Sequence, residues 1–355
     1  MAAITVIDPA GTVILVVRNP DPPFAIMERD VQPSPNTAPP VCSSTAQSPE
    51  STETGNPHTP AELRFRVSAK CLAHASSVFD KMLNGDWKES HELMLNGTIE
   101  IPVQDCSVDA LRLILHICHG QFDEVPYALD VEMVAKFAVI ADYYNFQHMR
   151  FFTRLWLPEF DCWNDDDAGF ENNDMRTILM VLWIRYFSQQ PKGFEFVTSV
   201  AMGRSCGRVS ALGLPIPGRI IDEMNERRIN KIRDHFQTLR GFRQTLLNDD
   251  TDDKNTCTFK CRSLTLGALM KQAHNLHLSD PEPTPPFENL KYRTFGYLAD
   301  IDERWAEYVP EEGPNKEDKY TYCDHECRKF NYGGIAAYFE SFTSIEGLSL
   351  ETYIA

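Results

Sequence analysis

Residues 65–79, FRVSAKCLAHASSVF, decide the fold that we predict for this chain. Phe65 and Val67 alternate as the residues on one face of a β-strand do. Beyond them, from Leu72 to Phe79, apolar residues recur at the spacing of three or four that marks a helix face. The stretch therefore predicts a short strand that turns directly into a helical hairpin.

Strand and helix patterns continue on both sides of this stretch. Apolar runs predict two more strands, at residues 11–17 (GTVILVV) and 98–103 (TIEIPV). Helical spacing predicts helices over residues 108–120, 129–144, 146–157, 175–187, 194–202, 217–239 and 335–342. The polar side of helix 217–239 is expected to be a solvated face that carries Arg227, Arg228, Lys231 and Arg233.

The length and charge of the chain disfavour several functional classes. With 51 Asp and Glu residues against 34 Lys and Arg residues, the formal net charge is −17, which repels phosphate backbones. The longest apolar run of the second half, residues 178–184, is far shorter than the roughly 20 residues of a membrane helix. We therefore expect neither nucleic acid nor a membrane among the partners, and 355 residues suffice for two domains.

Cysteine usage and the first residues predict an intracellular protein. Ten cysteines are spread over the chain without a dense disulfide module, as is usual in a reducing compartment. The apolar run 12–17 follows Asp8 and Pro9 with no basic residue before it, so we predict a strand there and not a signal peptide. No run of lysine or arginine distinguishes a nuclear from a cytoplasmic location.

A proline-rich segment interrupts the predicted sheet. Residues 19–60 contain ten prolines and many serines and threonines. Such a composition buries too little apolar surface to offset the entropy lost on ordering. We expect a disordered insert that loops out between two strands that pair with each other.

The pattern F-x-V-x-x-x-x-L-A-x-x-S-x-x-F at residues 65–79 resembles the centre of a BTB/POZ domain. Three further landmarks resemble that family's next strand, its L-x-x-I-Y-T-G helix and turn, and its A-D-x-Y helix: residues 98–101, 111–120 and 141–144. Ser68 stands where many members carry His. Two later segments, 181–202 and 213–228, resemble the helical extension of many fungal BTB proteins.

The resemblance implies an α/β (α+β) BTB/POZ domain followed by a mostly α-helical C-terminal region. The domain is expected at residues 1–157, with the insert at 19–60. The helical region is expected at 158–355, with loops near 245–256 and 280–287. Because BTB domains carry no chemistry of their own, the resemblance implies a protein–protein interaction module, a self-associating scaffold or adaptor that forms a homodimer through this domain.

The resemblance also implies one class of partner, the cullin scaffold of ubiquitin ligases. The family contacts cullins through a hydrophobic-x-Glu motif after the helical hairpin, and Trp87-Lys88-Glu89 occupies that place. The candidate partner-binding residues are therefore Trp87, Glu89, Met82 and Leu83. The alternative is that Trp87 forms a packing lid.

Two cysteine pairs are the metal-like constellation of the sequence. Three residues separate Cys257 from Cys261 and Cys323 from Cys327, so a helix would place both thiols of a pair on one face. Two such pairs can complete a tetrahedral zinc site. Structural zinc more often has two intervening residues, so we expect no cofactor and keep zinc at these four cysteines as the alternative.

Signs of catalysis are absent from the sequence. It contains no nucleotide-binding glycine loop, serine nucleophile elbow or zinc-protease helix motif. His116, Cys118 and His119 crowd the end of a predicted helix and are expected to be structural. We therefore expect an adaptor and not an enzyme. The alternatives are a regulatory binding protein with a zinc-stabilised C-terminal domain and an unrecognised enzyme.

Overall fold

The computed structural model describes residues 4–27, 63–157, 174–248, 259–279, 281–298 and 345–354. The chain divides into two compact units. The first contains residues 1–189 and 212–215, and the second contains residues 190–211 and 216–355.

The first unit contains a mixed four-stranded sheet. Its strands are β1 (Ile4–Val6), β2 (Val13–Arg18), β3 (Leu63–Val67) and β4 (Ile99–Gln104). Their order across the sheet is β1-β3-β2-β4. β3 runs antiparallel to β2 and parallel to β1, and β2 runs parallel to β4. The strands on either side of the proline-rich segment are thus paired neighbours, as the sequence predicts.

The first residues after β2 lie against the folded unit. The carboxylate of Asp21 accepts a hydrogen bond of 3.1 Å from the backbone N–H of Val108, and the side chain of Ala25 is buried. Residues 19–27, which the sequence assigns to the insert, are therefore held by specific contacts. The rest of the predicted insert, residues 28–60, lies outside the described residues.

Seven α-helices are described in the first unit. They are α1 (Ala69–Ala75), α2 (Ser77–Asn84), α3 (Lys88–Asn96), α4 (Val108–Cys118), α5 (Val131–Tyr143), α6 (Met149–Trp156) and α7 (Met175–Phe187). The predicted hairpin is α1 and α2, which meet at the buried Ser76. The Ser76 hydroxyl accepts from the N–H of Phe79 at 3.1 Å and donates to the carbonyl of Tyr144 at 2.5 Å. One small polar residue therefore starts α2 and ties it to the end of α5.

α5 contacts both the helical hairpin, through its C-cap residue Tyr144, and α7. Phe79 stacks on Tyr144 with ring centroids 4.9 Å apart. α7 buries residues on every side, among them the charged Arg185, and packs against α5, as is typical of a helix in the interior. At its first turn, Arg176 pairs with Glu132 of α5 at 2.7 Å. Because α7 is embedded in this way, the compact unit continues beyond residue 157 to residue 189.

The second unit is helical. It contains α8 (Pro191–Arg204), α9 (Gly218–Leu247), α10 (Phe259–Asn275) and short 3₁₀ helices at Tyr292–Leu298 and Leu350–Thr352. α9 extends beyond the predicted end at residue 239, so residues 245–247 are helical and the prediction of a break there is wrong. The aromatic rings of Tyr292 and Phe295 lie 4.8 and 5.2 Å from the His235 ring. Burial lowers the pKa of His235 to about 4. The predicted helix 335–342 lies outside the described residues.

The prediction of a solvated basic face on α9 is wrong for Arg228. Lys231 and Arg233 are exposed, but Arg228 is only 1% exposed. Its guanidinium donates to four backbone carbonyls, those of Ser205, Pro286, Phe287 and Leu290. Desolvation by burial lowers its pKa. Because carbonyls need donors in the interior, this arginine fastens the proline-rich loop near residue 286 to α9.

Candidate protein-binding surface

The start of α3 is a tight turn that presents Trp87 to solvent. At Gly85 a Cβ atom would overlap the carbonyl oxygen of Lys81, so only glycine fits this turn. Trp87 then takes the N-cap position with extended backbone and no side-chain cap. Its carbonyl accepts a hydrogen bond of 2.9 Å from Nδ1 of His91. The turn fixes the backbone of Trp87, and 52% of the residue is exposed.

The apolar stripe of α3 faces away from the unit. Positions at four, seven and eight residues after Trp87 share one side of the helix, and they carry His91, Met94 and Leu95. Met94 and Leu95 are each 83% exposed. Ser90 is the residue that α3 buries. This is the reverse of the usual arrangement, in which the apolar stripe of a surface helix faces the core.

The four predicted partner-binding residues lie in different environments. Trp87 is exposed, and Glu89 and Met82 are half-buried. Leu83 is only 4% exposed and belongs to the core. The name α3 surface is used below for Trp87, Glu89, Met94 and Leu95. The sequence interpretation missed Met94 and Leu95, although their spacing from Trp87 was visible in the sequence.

A second apolar surface is formed by α6 and the turn after α4. Phe151 is 66% exposed, Leu155 60% and Phe122 59%. Phe152 lies between them, with ring centroids 5.4 Å from Phe151 and 6.3 Å from Phe122. Consecutive helical residues point about 100° apart, and here Phe151 is exposed whereas Phe152 is half-buried. The sequence interpretation missed this surface, because adjacent apolar residues on a helix can also be buried together, as they are in α7.

The first strand adds a third exposed feature. β1 is at one end of the strand order and pairs with β3 on one side. Ile4 and Val6 are 48% and 52% exposed. A strand at the edge of a sheet leaves a row of backbone donors and acceptors available for pairing.

The two histidines at the end of α4, His116 in its last turn and His119 at its C-cap, make structural hydrogen bonds. Nε2 of His119 accepts from the N–H of Ser68 at 3.0 Å, and its Nδ1 donates to the carbonyl of Leu115 at 2.7 Å. These two bonds require the neutral ring with its proton on Nδ1. Nδ1 of His116 bonds to the side-chain oxygen of Gln121 at 2.7 Å. His119 therefore links the start of α1 to the end of α4, and His116 holds the turn that follows α4.

The thiol between these histidines is protonated at neutral pH. Burial raises the pKa of Cys118 to about 12, and the neighbouring Cys71 contributes in the same direction. A thiol in this state is a poor nucleophile and a poor metal ligand.

The predicted zinc ligands cannot be placed. Cys257, Cys323 and Cys327 lie outside the described residues, as does the side chain of Cys261, whose backbone belongs to α10. Within the described ranges, no three His, Cys, Asp or Glu side chains are arranged to hold a metal ion. Zinc at these cysteines stays a prediction, which metal analysis of protein purified without chelator can measure.

The first unit combines a small mixed sheet, a helical hairpin and several exposed apolar surfaces. The sequence model of the BTB/POZ domain family matches residues 60–151. The chain therefore contains a BTB/POZ domain, followed by a mostly helical region, and functions as a protein–protein interaction module. Comparisons of the chain with curated proteins and with solved structures found no match. In the part of the chain that the structure describes, no helix is long and apolar enough to cross a membrane.

Proposed function

We propose that the BTB unit is an adaptor whose α3 surface binds a cullin-type scaffold of a ubiquitin ligase. The observation that carries this proposal is the outward direction of the apolar stripe on α3. Trp87 and Met94 lie two helical turns apart on that stripe, and Glu89 stands in the first turn of the same helix. The aromatic residue of the hydrophobic-x-Glu motif, Trp87, is therefore accessible to a partner.

The chemistry of the α3 surface suits a partner with an apolar pocket and a basic rim. Exposed Trp side chains are enriched among the residues that dominate binding energy, because a large rigid ring loses little entropy when it is buried. A carboxylate in the first turn of a helix is stabilised by the helix dipole. It therefore presents a defined negative charge to a cation on the partner.

A binding experiment with purified components tests the adaptor proposal. Immobilised full-length chain is expected to retain a purified cullin, and Trp87→Ala should weaken the apparent Kd by about tenfold or more. Glu89→Ala should have a smaller effect, because a rim charge contributes less than a central aromatic residue. Tyr127→Ala is the matched control, since this aromatic residue is 98% exposed and lies outside α3.

Two results would contradict the adaptor proposal. One is the absence of any retained cullin with the wild-type chain. The other is equal retention by the wild-type chain and Trp87→Ala, when Tyr127→Ala also behaves as wild type. A loss of thermal stability in Trp87→Ala would instead support the packing lid.

We also propose that two copies associate through β1. The exposed side chains of Ile4 and Val6 and the open edge of β1 support this proposal, because a second copy can bury both together. Light scattering at micromolar concentration is expected to give twice the 40.5 kDa of one chain. Val6→Lys should shift the mass toward one chain, whereas Leu155→Lys, at a residue that is 60% exposed on α6, should not. A wild-type monomer would refute the proposal.

A further inference from the structure

Residues 345–354, IEGLSLETYI, lie in a groove between α8 and α9 of the second unit. This stretch is called the docked segment below. Its four apolar anchors are between 0 and 5% exposed: Ile345, Leu348, Leu350 and Tyr353. The polar residues between the anchors face solvent. A peptide bound across a surface shows this alternation of buried anchors and exposed spacers.

The middle of the docked segment approaches the backbone of α8. A Cβ atom at Gly347 would overlap the carbonyl carbon and oxygen of Glu195. The next residue, Leu348, donates its N–H to the hydroxyl of Thr198 at 2.8 Å. On the other side, the guanidinium of Arg227 donates to the carbonyl of Gly347 at 3.2 Å. The groove therefore requires glycine at this position. It also forms hydrogen bonds with the backbone carbonyl of Gly347 and the backbone N–H of Leu348.

The end of the docked segment is held through Tyr353. Its hydroxyl donates to a carboxylate oxygen of Glu223 at 2.7 Å, and the other oxygen of that carboxylate pairs with Arg227 at 2.7 Å. The guanidinium of Arg219 lies 5.2 Å from the centre of the Tyr353 ring and donates to the Tyr353 carbonyl. Phe194 of α8 contacts the same ring, at 6.1 Å between centroids. Tyr353 thus contacts a hydrogen-bond acceptor, a cation and an aromatic ring.

The docked segment contacts α8 and α9 through side chains, as a bound peptide ligand does. Among the described residues, its backbone–backbone hydrogen bonds are internal, from Thr352 to Ser349 and from Tyr353 to Leu350. Its bonds to α8 and α9 all use a side chain on one of the two partners. Residues 299–344 separate it from the preceding described residue.

We propose that the groove between α8 and α9 is a peptide-binding site, and that the docked segment occupies it as an exchangeable ligand in cis. The groove selects a peptide of the form apolar-x-Gly-apolar-x-apolar-x-x-Tyr, with a 3₁₀ turn at Leu350–Thr352. A peptide of the same form in a second molecule is excluded while the docked segment is in place, and it binds when that segment leaves. This site is separate from the α3 surface, so it stands or fails independently of the adaptor proposal.

The experiment opens the groove in the full-length chain and supplies the peptide in trans. Gly347→Ala displaces the docked segment, because the added methyl group has no space beside Glu195. Gly241→Ala is the matched control, since a Cβ atom at this position of α9 meets nothing within 4 Å. The probe is a fluorescent synthetic peptide with the wild-type sequence of residues 345–355, and fluorescence anisotropy measures its binding.

The peptide is expected to bind the Gly347→Ala chain saturably and at least tenfold more tightly than it binds the wild-type or Gly241→Ala chain. A peptide that itself carries Gly347→Ala should not bind. A peptide with Tyr353→Phe should bind about tenfold more weakly, because it lacks one hydrogen bond to a charged group.

Three results would overturn the proposal. The first is no saturable binding to a Gly347→Ala chain that keeps its helical circular dichroism. The second is equal binding to the wild-type and Gly347→Ala chains. The third is loss of the helical signal in Gly347→Ala, which would show that the docked segment is part of the core and not a ligand.

Discussion

α3 and the docked segment both carry several apolar residues, but α3 exposes them to solvent and the docked segment buries them. α3 exposes Met94 and Leu95, each by 83%, whereas the docked segment buries Leu348 and Leu350 completely. The docked segment already has its partner within the chain, and the apolar stripe of α3 has none among the described residues. Apolar content therefore indicates a binding segment in both cases, but only tertiary contacts show whether the partner is internal or external.

The largest expected effect is on the free energy of unfolding, when a leucine in each of the two regions is replaced by aspartate. Leu348→Asp should lower the free energy of unfolding by about 4 kcal/mol, since it removes a buried leucine and places a charge in an apolar groove. Leu95→Asp should change it by no more than about 0.5 kcal/mol, because this side chain is already in water. Urea titration measures both. Equal losses would show that α3 is also covered by part of this chain.

The next effect concerns the boundary between core and surface beside α3. Leu83→Ala should cost about 3 kcal/mol, because the residue is 4% exposed and its truncation leaves a cavity. Met82→Ala should cost about 1 kcal/mol, since Met82 is half-buried. Thermal unfolding followed by circular dichroism measures the two variants. A larger loss of stability for Met82→Ala than for Leu83→Ala would mean that Leu83 is not a core residue and is again a candidate for partner binding.

The third effect is a pH dependence of the contact between the docked segment and Glu223 of α9. Hydrogen bonds from Tyr353 and Arg227 hold the pKa of Glu223 below its usual value of 4.5. The stabilisation from this carboxylate is therefore fully present above pH 4.5 and is lost as the pH falls through the lowered pKa. Glu223 is partly exposed, so the change should be smaller than that of Leu348→Asp.

This pH dependence can be measured through unfolding by urea between pH 3 and pH 6. Glu223→Gln is the control, because it keeps a hydrogen-bond acceptor but does not titrate. The wild-type chain should lose more stability than Glu223→Gln on acidification. Parallel curves for the two proteins would mean that the carboxylate does not hold Tyr353.

The smallest effect is expected at Trp87. Trp87→Ala should alter the free energy of unfolding by about 0.5 kcal/mol or less, because half of the residue is in water and its ring makes no cap. The same substitution is expected to weaken partner binding strongly. Differential scanning calorimetry tests the first statement, and a loss of several degrees in Tm would contradict it.

Local periodicity predicted the elements that depend on short-range patterns. α7 was predicted at residues 175–187 and is found there, since Asp174 caps its first turn and its apolar run has no interruption. The helical hairpin was predicted from residues 65–79, although the sequence did not show that Ser76 divides it. Ser76 acts through Tyr144, which is distant in sequence, so no local pattern contains that contact.

Burial of charged residues could not be predicted in the same way. Arg227 and Arg228 are adjacent on α9, and their helical positions both suggested the polar side. Arg227 pairs with Glu223 near the surface, whereas Arg228 is buried among carbonyls of the loop near residue 286. The difference arises because that loop folds back over α9, a long-range event that leaves no periodic trace. The same reason explains why the docked segment was missed.

The sequence by itself carried the resemblance to a BTB/POZ domain, through motifs in that family's order, and it predicted the helical character of the region after this domain and the place of Trp87 and Glu89 after the hairpin. The helices could be predicted because side-chain spacing along the chain decides local structure. Tertiary structure alone decided that the apolar stripe of α3 faces outward, that Leu83 is core and that residues 345–354 fill a groove. Those features depend on which surfaces meet, and burial of apolar area rewards contacts between residues regardless of their separation in sequence.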